Sequence, residues 1–304
     1  MILKNSFMIL TNNVNLIFKT LAYTILLMII LLSILSSIFV PLRESILVEF
    51  EGLGKLQEAV GYWIDGDKNS LNDLLSLLNS FLSEKRIVVM QTIIKIIGFY
   101  AMTIFFFFMT DIPIVKVLYN KMQQGYSEKF HLSLISSLPQ SLLYSFLMTV
   151  IVTVVDVLII MAVIALLIAL YPVIGFFAIS IVASLALFLL AGRVTLISQY
   201  VPLIVCEEKN LIVALKESIT KSVKSFSLAY IPLLITIIVF FAIFMSTIVS
   251  TFAIVPVLII PTYLVMKNCI RLVVYSAEKK KPYYTTDAQT NEFEIDVSDD
   301  VVKS

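Results

Sequence analysis

Six long apolar segments constrain this chain more than any other feature of its sequence. They occupy residues 17–40, 87–110, 141–170, 173–200, 228–250 and 252–275. A helix rises about 1.5 Å per residue, so each segment is long enough to cross the roughly 30 Å hydrocarbon core of a bilayer. Because 60% of the residues are hydrophobic and only 14% are charged, we expect an integral membrane protein with little soluble mass.

These segments are expected to be helices rather than strands. The strands of a membrane barrel alternate apolar and polar residues, whereas residues 157–170 are apolar at every position. A helix also satisfies its backbone polar groups within one segment, as the hydrocarbon core requires. We therefore predict an all-α, polytopic membrane protein whose six transmembrane helices form three hairpins.

Lysine and arginine are concentrated in every second connection between the apolar segments. The basic segments are 1–20, 111–140, 193–227 and a tail that begins with Lys267 and Arg271. The segment 41–86 instead carries more acidic than basic residues. Because cytoplasmic loops are enriched in lysine and arginine, we expect both termini in the cytoplasm. The abundance of Ile, Lys and Asn is typical of AT-rich genomes, and we expect a bacterial inner (plasma) membrane.

Each hairpin is preceded by a short amphipathic segment on the expected cytoplasmic side. Their apolar residues recur every three or four positions: Leu3, Phe7, Leu10 and Val14; Phe130, Leu134 and Leu138; and Leu211, Leu215, Ile219 and Val223. This spacing predicts elbow helices that lie in the membrane interface with the apolar face in lipid. The alternative is that they are loops packed on the bundle. The similarity of the three entries predicts an internal repeat of one elbow and two spanning helices.

The domain boundaries follow from the same pattern. Residues 1–275 are expected to form the transmembrane domain, with 41–86 as a helical insertion on the extracytoplasmic side. Residues 276–304 contain few apolar residues and many charges, which is typical of a disordered tail, here on the cytoplasmic side.

No cofactor and no metal site is predicted. The turn at residues 65–70 begins like a calcium loop, but Ser70 stands where the turn glycine belongs and Ser76 where a bidentate glutamate is required. The two cysteines and the single histidine of the chain do not form a zinc site.

Asp156 is the charged residue that lies deepest in an apolar segment. The polar residues Ser141, Ser145, Thr149 and Thr153 precede it on one helix face. Such a face should point into the bundle or a water-filled cavity. It can serve as a proton or substrate relay, or as a polar clamp between helices. Lys95 and Arg193 are candidate charge partners, although each can also extend to its own interface.

One junction resembles a known family. The residues that carry the resemblance follow Arg193 and are Pro202, Glu207, Ala214, Leu215 and Ser218, with Tyr275 closing the last helix. This pattern resembles the junction between helices four and five of YciC-like and DUF975-type six-helix bacterial membrane proteins. The membrane domain attached to some glycerophosphodiester phosphodiesterases is similar. The resemblance implies the fold and an elbow at this junction, and it implies no activity.

No catalytic constellation is evident, so we expect a non-enzymatic protein that organises lipid or a membrane partner protein. The expected partners are the bilayer itself, including anionic lipids, and a membrane protein, with no role for nucleic acid. The alternative is a small transporter or channel that uses the polar face ending at Asp156.

The predicted topology can be checked with two single cysteines. Cysteines introduced at Asn69 and Gln289 should react with membrane-impermeant reagents added to opposite sides of the membrane, because these positions lie in the acidic insertion and the basic tail. Labelling of both from the same side would contradict the topology.

Overall fold

The computed structural model describes residues 1–49, 86–124, 128–249 and 254–279. Throughout these ranges the chain is helical and contains no strand. The helices are α1 (Ile2–Thr11), α2 (Val14–Glu49), α3 (Arg86–Phe108), α4 (Asp111–Gln124), α5 (Phe130–Ser136), α6 (Leu138–Ile174), α7 (Phe177–Leu196), α8 (Tyr200–Cys206), α9 (Leu211–Lys224), α10 (Phe226–Val249) and α11 (Ile254–Glu278).

Six helical segments of the described chain are long and apolar enough to cross a membrane. They are Val14–Ile38, Met90–Gln123, Leu138–Ile174, Phe177–Cys206, Phe226–Thr247 and Val257–Glu278. The expected all-α fold of a multi-pass integral membrane protein is therefore confirmed. The arrangement of the spans as three hairpins stays a prediction.

The chain divides into two compact units. The first contains Met1–Ile25 and Phe105–Ser304, and the second contains Leu26–Ile104. In the second unit, Lys95 lies on α3 with its side chain exposed. All the interactions described below belong to the first unit.

Helix α11 lies at the centre of the first unit. It packs against α1, α4, α8 and α10, and its residues Leu272, Val273 and Val274 are fully buried. In its most apolar window, 67% of the residues are buried, compared with 11 to 22% in the spans of α6, α7 and α10. The last span is thus enclosed by protein, whereas the other three present most of their side chains outward.

The basic connection 111–140, in which only residues 130–138 were expected to form a helix, contains α4 as well as α5. On α4, Ile112, Val115 and Leu118 are buried at helical spacing, and they pack against α8 and α11. Asp111 and Lys121, at opposite ends of α4, both complement the helix dipole.

The assignment of Lys267 and Arg271 to the basic tail is wrong, although both lie within the expected apolar segment 252–275. Lys267 and Arg271 lie inside α11 and are 5% and 1% exposed. They therefore do not belong to a loop, and the basic character of the tail rests on Lys279 and the two lysines after it.

The turn between α6 and α7 lies later than the sequence indicated. The gap between the apolar segments 141–170 and 173–200 predicts a turn at Tyr171 and Pro172, but α6 continues to Ile174 and ends at Gly175, whose φ is 57°. The Gly175 N–H group donates to the Tyr171 carbonyl oxygen at 2.8 Å. Glycine adopts this left-handed conformation without strain, so it closes the helix end.

Several expectations fall on residues outside the described part of the chain. They are the part of the helical insertion within 50–85, the calcium-like turn at 65–70, the turn between the apolar segments 228–250 and 252–275, which the sequence puts at Ser250 and Thr251, and the tail from residue 280.

Candidate functional site

The carboxylate of Asp111, the first residue of α4, binds four side chains of the first unit. Its side chain is completely buried. The Nζ atom of Lys267 lies 2.9 Å from Oδ1, and the guanidinium of Arg271 lies 2.8 Å from Oδ2. The amide of Asn268 donates to Oδ1 at 3.0 Å, and the Tyr144 hydroxyl donates to Oδ2 at 3.2 Å. We call these five residues the Asp111 cluster.

The local sequence explains how the cluster assembles. Lys267, Asn268 and Arg271 occupy positions i, i+1 and i+4 of α11, so they project from one side of that helix. Helix α3 ends at Phe108, and Asp111 is the first residue of α4. From this position its carboxylate contacts side chains of α11. The cluster therefore joins α4, α6 and α11.

Aromatic rings surround the cluster. The Phe108 and Tyr144 rings meet edge to face with centroids 5.9 Å apart, and Tyr144 lies 5.2 Å from the Tyr200 ring. The Lys267 ammonium lies 5.6 Å from the centre of the Phe108 ring. This apolar wall reduces the local dielectric constant, which strengthens the ion pairs and raises the cost of leaving any of these charges unpaired.

A second ion pair contains the residue that the sequence singled out. Asp156 is 2% exposed, and its carboxylate accepts a hydrogen bond from Arg193 on α7. Arg193 is therefore placed beside Asp156, as one of the two candidate partners. The Arg193 side chain is 20% exposed, so its cation is less buried than the Asp156 carboxylate that it binds.

The other residues of the predicted polar face lie along α6. Ser145 is buried and donates to the Ser141 carbonyl oxygen at 2.6 Å. The hydroxyl groups of Thr149 and Thr153 are buried, and neither has a hydrogen-bond partner among the described residues. The side toward Asp156 thus holds two hydroxyl groups with spare hydrogen-bonding capacity.

The family-like residues meet at the junction of α8 and α9. Pro202, Ala214 and Ser218 are buried, and Leu215 is half-buried. The chain turns through Glu208, whose φ is 51°, and the side chain of Asn210 then accepts a hydrogen bond from the Ile212 N–H group at 3.2 Å. That bond caps the first turn of α9.

Glu207 binds the cations of this junction. Its carboxylate lies 2.9 Å from Lys209, 3.4 Å from Lys221 and 3.1 Å from Lys279, and it accepts a hydrogen bond from the Tyr275 hydroxyl at 3.1 Å. Partial burial alone would raise the pKa of Glu207. The hydrogen bonds from Lys209 and Lys279 and the charge of Lys221 outweigh it and lower the pKa to about 2.

Glu217 strengthens the same junction from α9. It pairs with Lys209 and, at 3.3 Å, with Lys221. The hydrogen bond from Lys209 is the main reason why the pKa of Glu217 is lowered. Both carboxylates therefore stay ionised at neutral pH and join the turn after α8 to α9 and to the end of α11.

Sequence reasoning missed the Asp111 cluster. Asp111 was assigned to a loop, and Lys267 and Arg271 were assigned to the tail, so no buried partner was sought for any of them. A usable signal was present, because Lys267 and Arg271 are four residues apart and follow an apolar run, with Val273 and Val274 directly after them. Apolar residues on both sides of a charged pair indicate burial.

Comparisons with known proteins add no relative: no family model matches the chain, and neither a curated protein nor a solved structure is similar to it. Within the described ranges, no group of three or more His, Cys, Asp or Glu side chains is placed to hold a metal ion. The geometry is that of charged side chains that join helices inside an apolar bundle.

Replacing Asp111 with asparagine should strongly destabilise the protein. The substitution leaves Lys267 and Arg271 buried without an anion, and breaking a buried pair in this way costs about 3–5 kcal/mol. Thermal unfolding of the purified protein in detergent would measure the loss. Adding Lys267→Met to Asp111→Asn should recover part of it, since one unpaired cation is removed.

Glu128→Gln provides the matched control for Asp111→Asn. Glu128 is 17% exposed and lies 3.8 Å from Lys116, so its loss should cost less than about 1 kcal/mol. Equal stability of the Asp111→Asn and Glu128→Gln proteins would show that the buried cluster stabilises the protein no more than the partly exposed Glu128 pair does.

Proposed function

We propose that this chain is a non-enzymatic membrane protein of the YciC-like, DUF975-type class that organises the lipid around it. The proposal places it in a bacterial inner membrane with both termini in the cytoplasm. A membrane partner protein is the alternative to lipid at the same surfaces. The observation that carries the proposal is the orientation of the three short helices α1, α5 and α9.

Each of these helices buries a serine and exposes large apolar side chains, although Leu10 and Phe130 of the predicted apolar faces are buried. Ser6, Ser133 and Ser218 are fully buried on α1, α5 and α9 respectively. The exposed sides carry large apolar residues, namely Phe7 at 58%, Leu132 and Ile135 at 50% and 68%, and Ile212, Ile219 and Val223 at 76%, 51% and 58%. A short helix with its apolar side outward is suited to the boundary between lipid headgroups and acyl chains.

Helix α9 supports a preference for anionic lipid. Ile212, Ile219 and Val223 share one helix face, and the exposed lysines Lys216 and Lys224 lie within and beside it. Lysine side chains at the membrane surface attract anionic headgroups while their stems remain among apolar groups. The exposed apolar face of α9 differs from the predicted one. Leu211 and Leu215 are half-buried, and Ile212 is exposed instead.

The spanning helices support the same conclusion. Only 11% of the most apolar window of α6 is buried, and Leu143, Phe146 and Leu158 on its surface are each more than half exposed. An apolar surface this extensive must be covered by acyl chains or by another protein in the membrane. In this proposal the apolar surface of the spans contacts the acyl chains, and the short helices contact the boundary between acyl chains and headgroups.

The position of α9 can be tested by fluorescence quenching in nanodiscs. A label on a single cysteine at Ile219, in a protein with Cys206 and Cys269 replaced by alanine, should be quenched by a nitroxide attached near the lipid headgroup. A water-soluble nitroxide should quench the same label more weakly. Stronger quenching by the water-soluble nitroxide than by the lipid-attached one would contradict the proposal.

Lipid retention completes this test. Lys216→Gln combined with Lys224→Gln should lower the ratio of anionic to neutral lipid that remains with the purified protein, by about fivefold for each lysine removed. Lys95→Gln is the control, because this exposed lysine lies on α3 and not on a short interfacial helix. An unchanged ratio in the double variant would argue for a protein partner at this face.

A second candidate function is a small transporter or channel, favoured by the polar line on α6. The buried hydroxyl groups of Thr149 and Thr153 lack partners and lie on the side that leads to Asp156. Hydroxyl groups of this kind can accept and donate hydrogen bonds to water or to a substrate in transit. Asp156 would then be the relay residue at the end of this line.

Substitutions of Asp156 separate the two functions. In a purely structural role, Asp156→Asn should be tolerated because the amide oxygen still accepts from Arg193, whose partly exposed cation can reach the interface. Asp156→Leu should lower the melting temperature. In a relay, Asp156→Asn should keep the melting temperature and abolish proton flux into liposomes that contain the protein. Full flux in that variant would exclude the relay.

A further inference from the structure

The exposed face of helix α9 combines positive charge with apolar surface. Lys216 and Lys224 are exposed, and they lie within and beside the row formed by Ile212, Ile219 and Val223. Neither lysine forms an ion pair with the residues that the structure describes. A segment that carries acidic and apolar side chains together would therefore complement this face.

The other lysines at this junction already have acidic partners. Lys209 lies 2.9 Å from Glu207 and also pairs with Glu217. Lys221 lies 3.4 Å from the first of these carboxylates and 3.3 Å from the second. The charge of α9 that is available to a binding partner is therefore that of its two exposed lysines.

The chain leaves the described structure beside α9. Lys279 is the last described residue, and its Nζ atom lies 3.1 Å from Oε1 of Glu207. The Nζ atom of Lys221, on α9, lies 3.4 Å from the same oxygen. The residues that follow Lys279 are therefore attached next to the helix whose face is exposed.

The segment 287–300 carries the side chains that complement this face. It has no basic residue, and its six acidic residues are Asp287, Glu292, Glu294, Asp296, Asp299 and Asp300. Between 292 and 297 the acidic residues alternate with Phe293, Ile295 and Val297. Both the negative charge and the apolar side chains of the segment match the exposed face of α9.

The connection to this segment is long enough for the segment to reach the whole of α9. Asp287 follows Lys279 by eight positions, so an extended chain between them spans up to about 26 Å. Helix α9 has 14 residues and is therefore about 21 Å long. A segment tethered at this distance has an effective concentration on the order of millimolar, so weak contacts are sufficient for docking.

We propose that residues 287–300 dock on the exposed face of α9 and thereby shield it from anionic lipid. The carboxylates of the segment pair with Lys216 and Lys224, and its apolar side chains cover Ile219 and Val223. Anionic headgroups compete for the same two lysines, so a membrane rich in anionic lipid displaces the segment. The docking depends only on the described face of α9, whereas the shielding rests on the proposed function.

Pulsed electron paramagnetic resonance on the full-length protein measures the docking. Nitroxides are attached to cysteines introduced at Ser298 and at Thr220, which is exposed on α9, in a protein with Cys206 and Cys269 replaced by alanine. In phosphatidylcholine liposomes we expect a narrow distribution of distances between the two nitroxides. Sodium chloride at about 1 M should broaden it, because the Debye length falls to about 3 Å. A broad distribution at low salt would overturn the proposal.

Charge reversal tests which lysines hold the segment. Lys216→Glu combined with Lys224→Glu should broaden the distance distribution, because the segment then faces like charges. Reversing three charges of the segment in the same protein should narrow the distribution again, and the substitutions are Glu292→Lys, Glu294→Lys and Asp296→Lys. No recovery in this swapped protein would contradict the assigned ion pairs.

Lys4→Glu combined with Lys129→Glu is the matched control. Both lysines are exposed and lie outside α9, and the change in net charge is the same as in the α9 double variant. The control should keep the narrow distribution. Equal broadening in the two double variants would show that net charge alone attracts the segment, and it would overturn the proposed face.

Dilution distinguishes the chain's own segment from that of a second copy. The narrow distribution should persist when the doubly labelled protein is mixed with an excess of unlabelled protein in the same liposomes. Its loss on dilution would assign the contact to a neighbouring molecule and overturn docking within one chain.

Anionic liposomes test the shielding separately from the docking. Increasing fractions of phosphatidylglycerol should progressively broaden the distance distribution, because the headgroups compete for the lysines of α9. A distribution that stays narrow at every fraction would overturn the shielding. Lipid retention that does not depend on Lys216 and Lys224 would instead contradict the proposed function, and a narrow distribution in phosphatidylcholine would still support the docking.

Discussion

The cost of burying charge in an apolar bundle organises the first unit. Asp111 is completely buried, and it is stabilised only because Lys267 and Arg271 from α11 lie within hydrogen-bonding distance. Tyr144 adds a third helix to the same carboxylate. Moving any one of α4, α6 and α11 away would leave charged or polar groups unpaired in a region without water, so the positions of these helices depend on one another.

That constraint explains which helices are enclosed and which face the membrane. Helix α11 carries both cations and must be covered on several sides, and it packs against α1, α4, α8 and α10. Helices such as α6 and α10 carry few charges and can present apolar side chains outward. The short helices bury serines such as Ser218 and expose apolar residues such as Ile212, which is what the proposed contact with lipid requires, because lipid, unlike water, accepts an apolar surface.

The candidate site was only partly accessible to sequence reasoning. Asp156 was identified from its depth alone, since a short carboxylate in the middle of an apolar segment cannot reach water. Choosing Arg193 over Lys95 as its neighbour required the structure. Pro202, Glu207, Ala214, Leu215 and Ser218 were grouped because their order along the chain resembles a known family, whereas the ion pairs of Glu207 with Lys221 and Lys279 required the structure. Asp111 and Arg271 were missed because 160 positions separate them and each had a plausible assignment in a loop or tail.

The sequence by itself determined that the chain is all-α and that six segments can span a membrane. Length and continuous hydrophobicity are local properties, and the requirement for internal backbone hydrogen bonds leaves the helix as the solution. Only the tertiary structure decided which charges pair and which side of each short helix is covered. Both depend on neighbours that are distant in sequence, and the energy of a buried charge is set by its partner rather than by its own position in the chain.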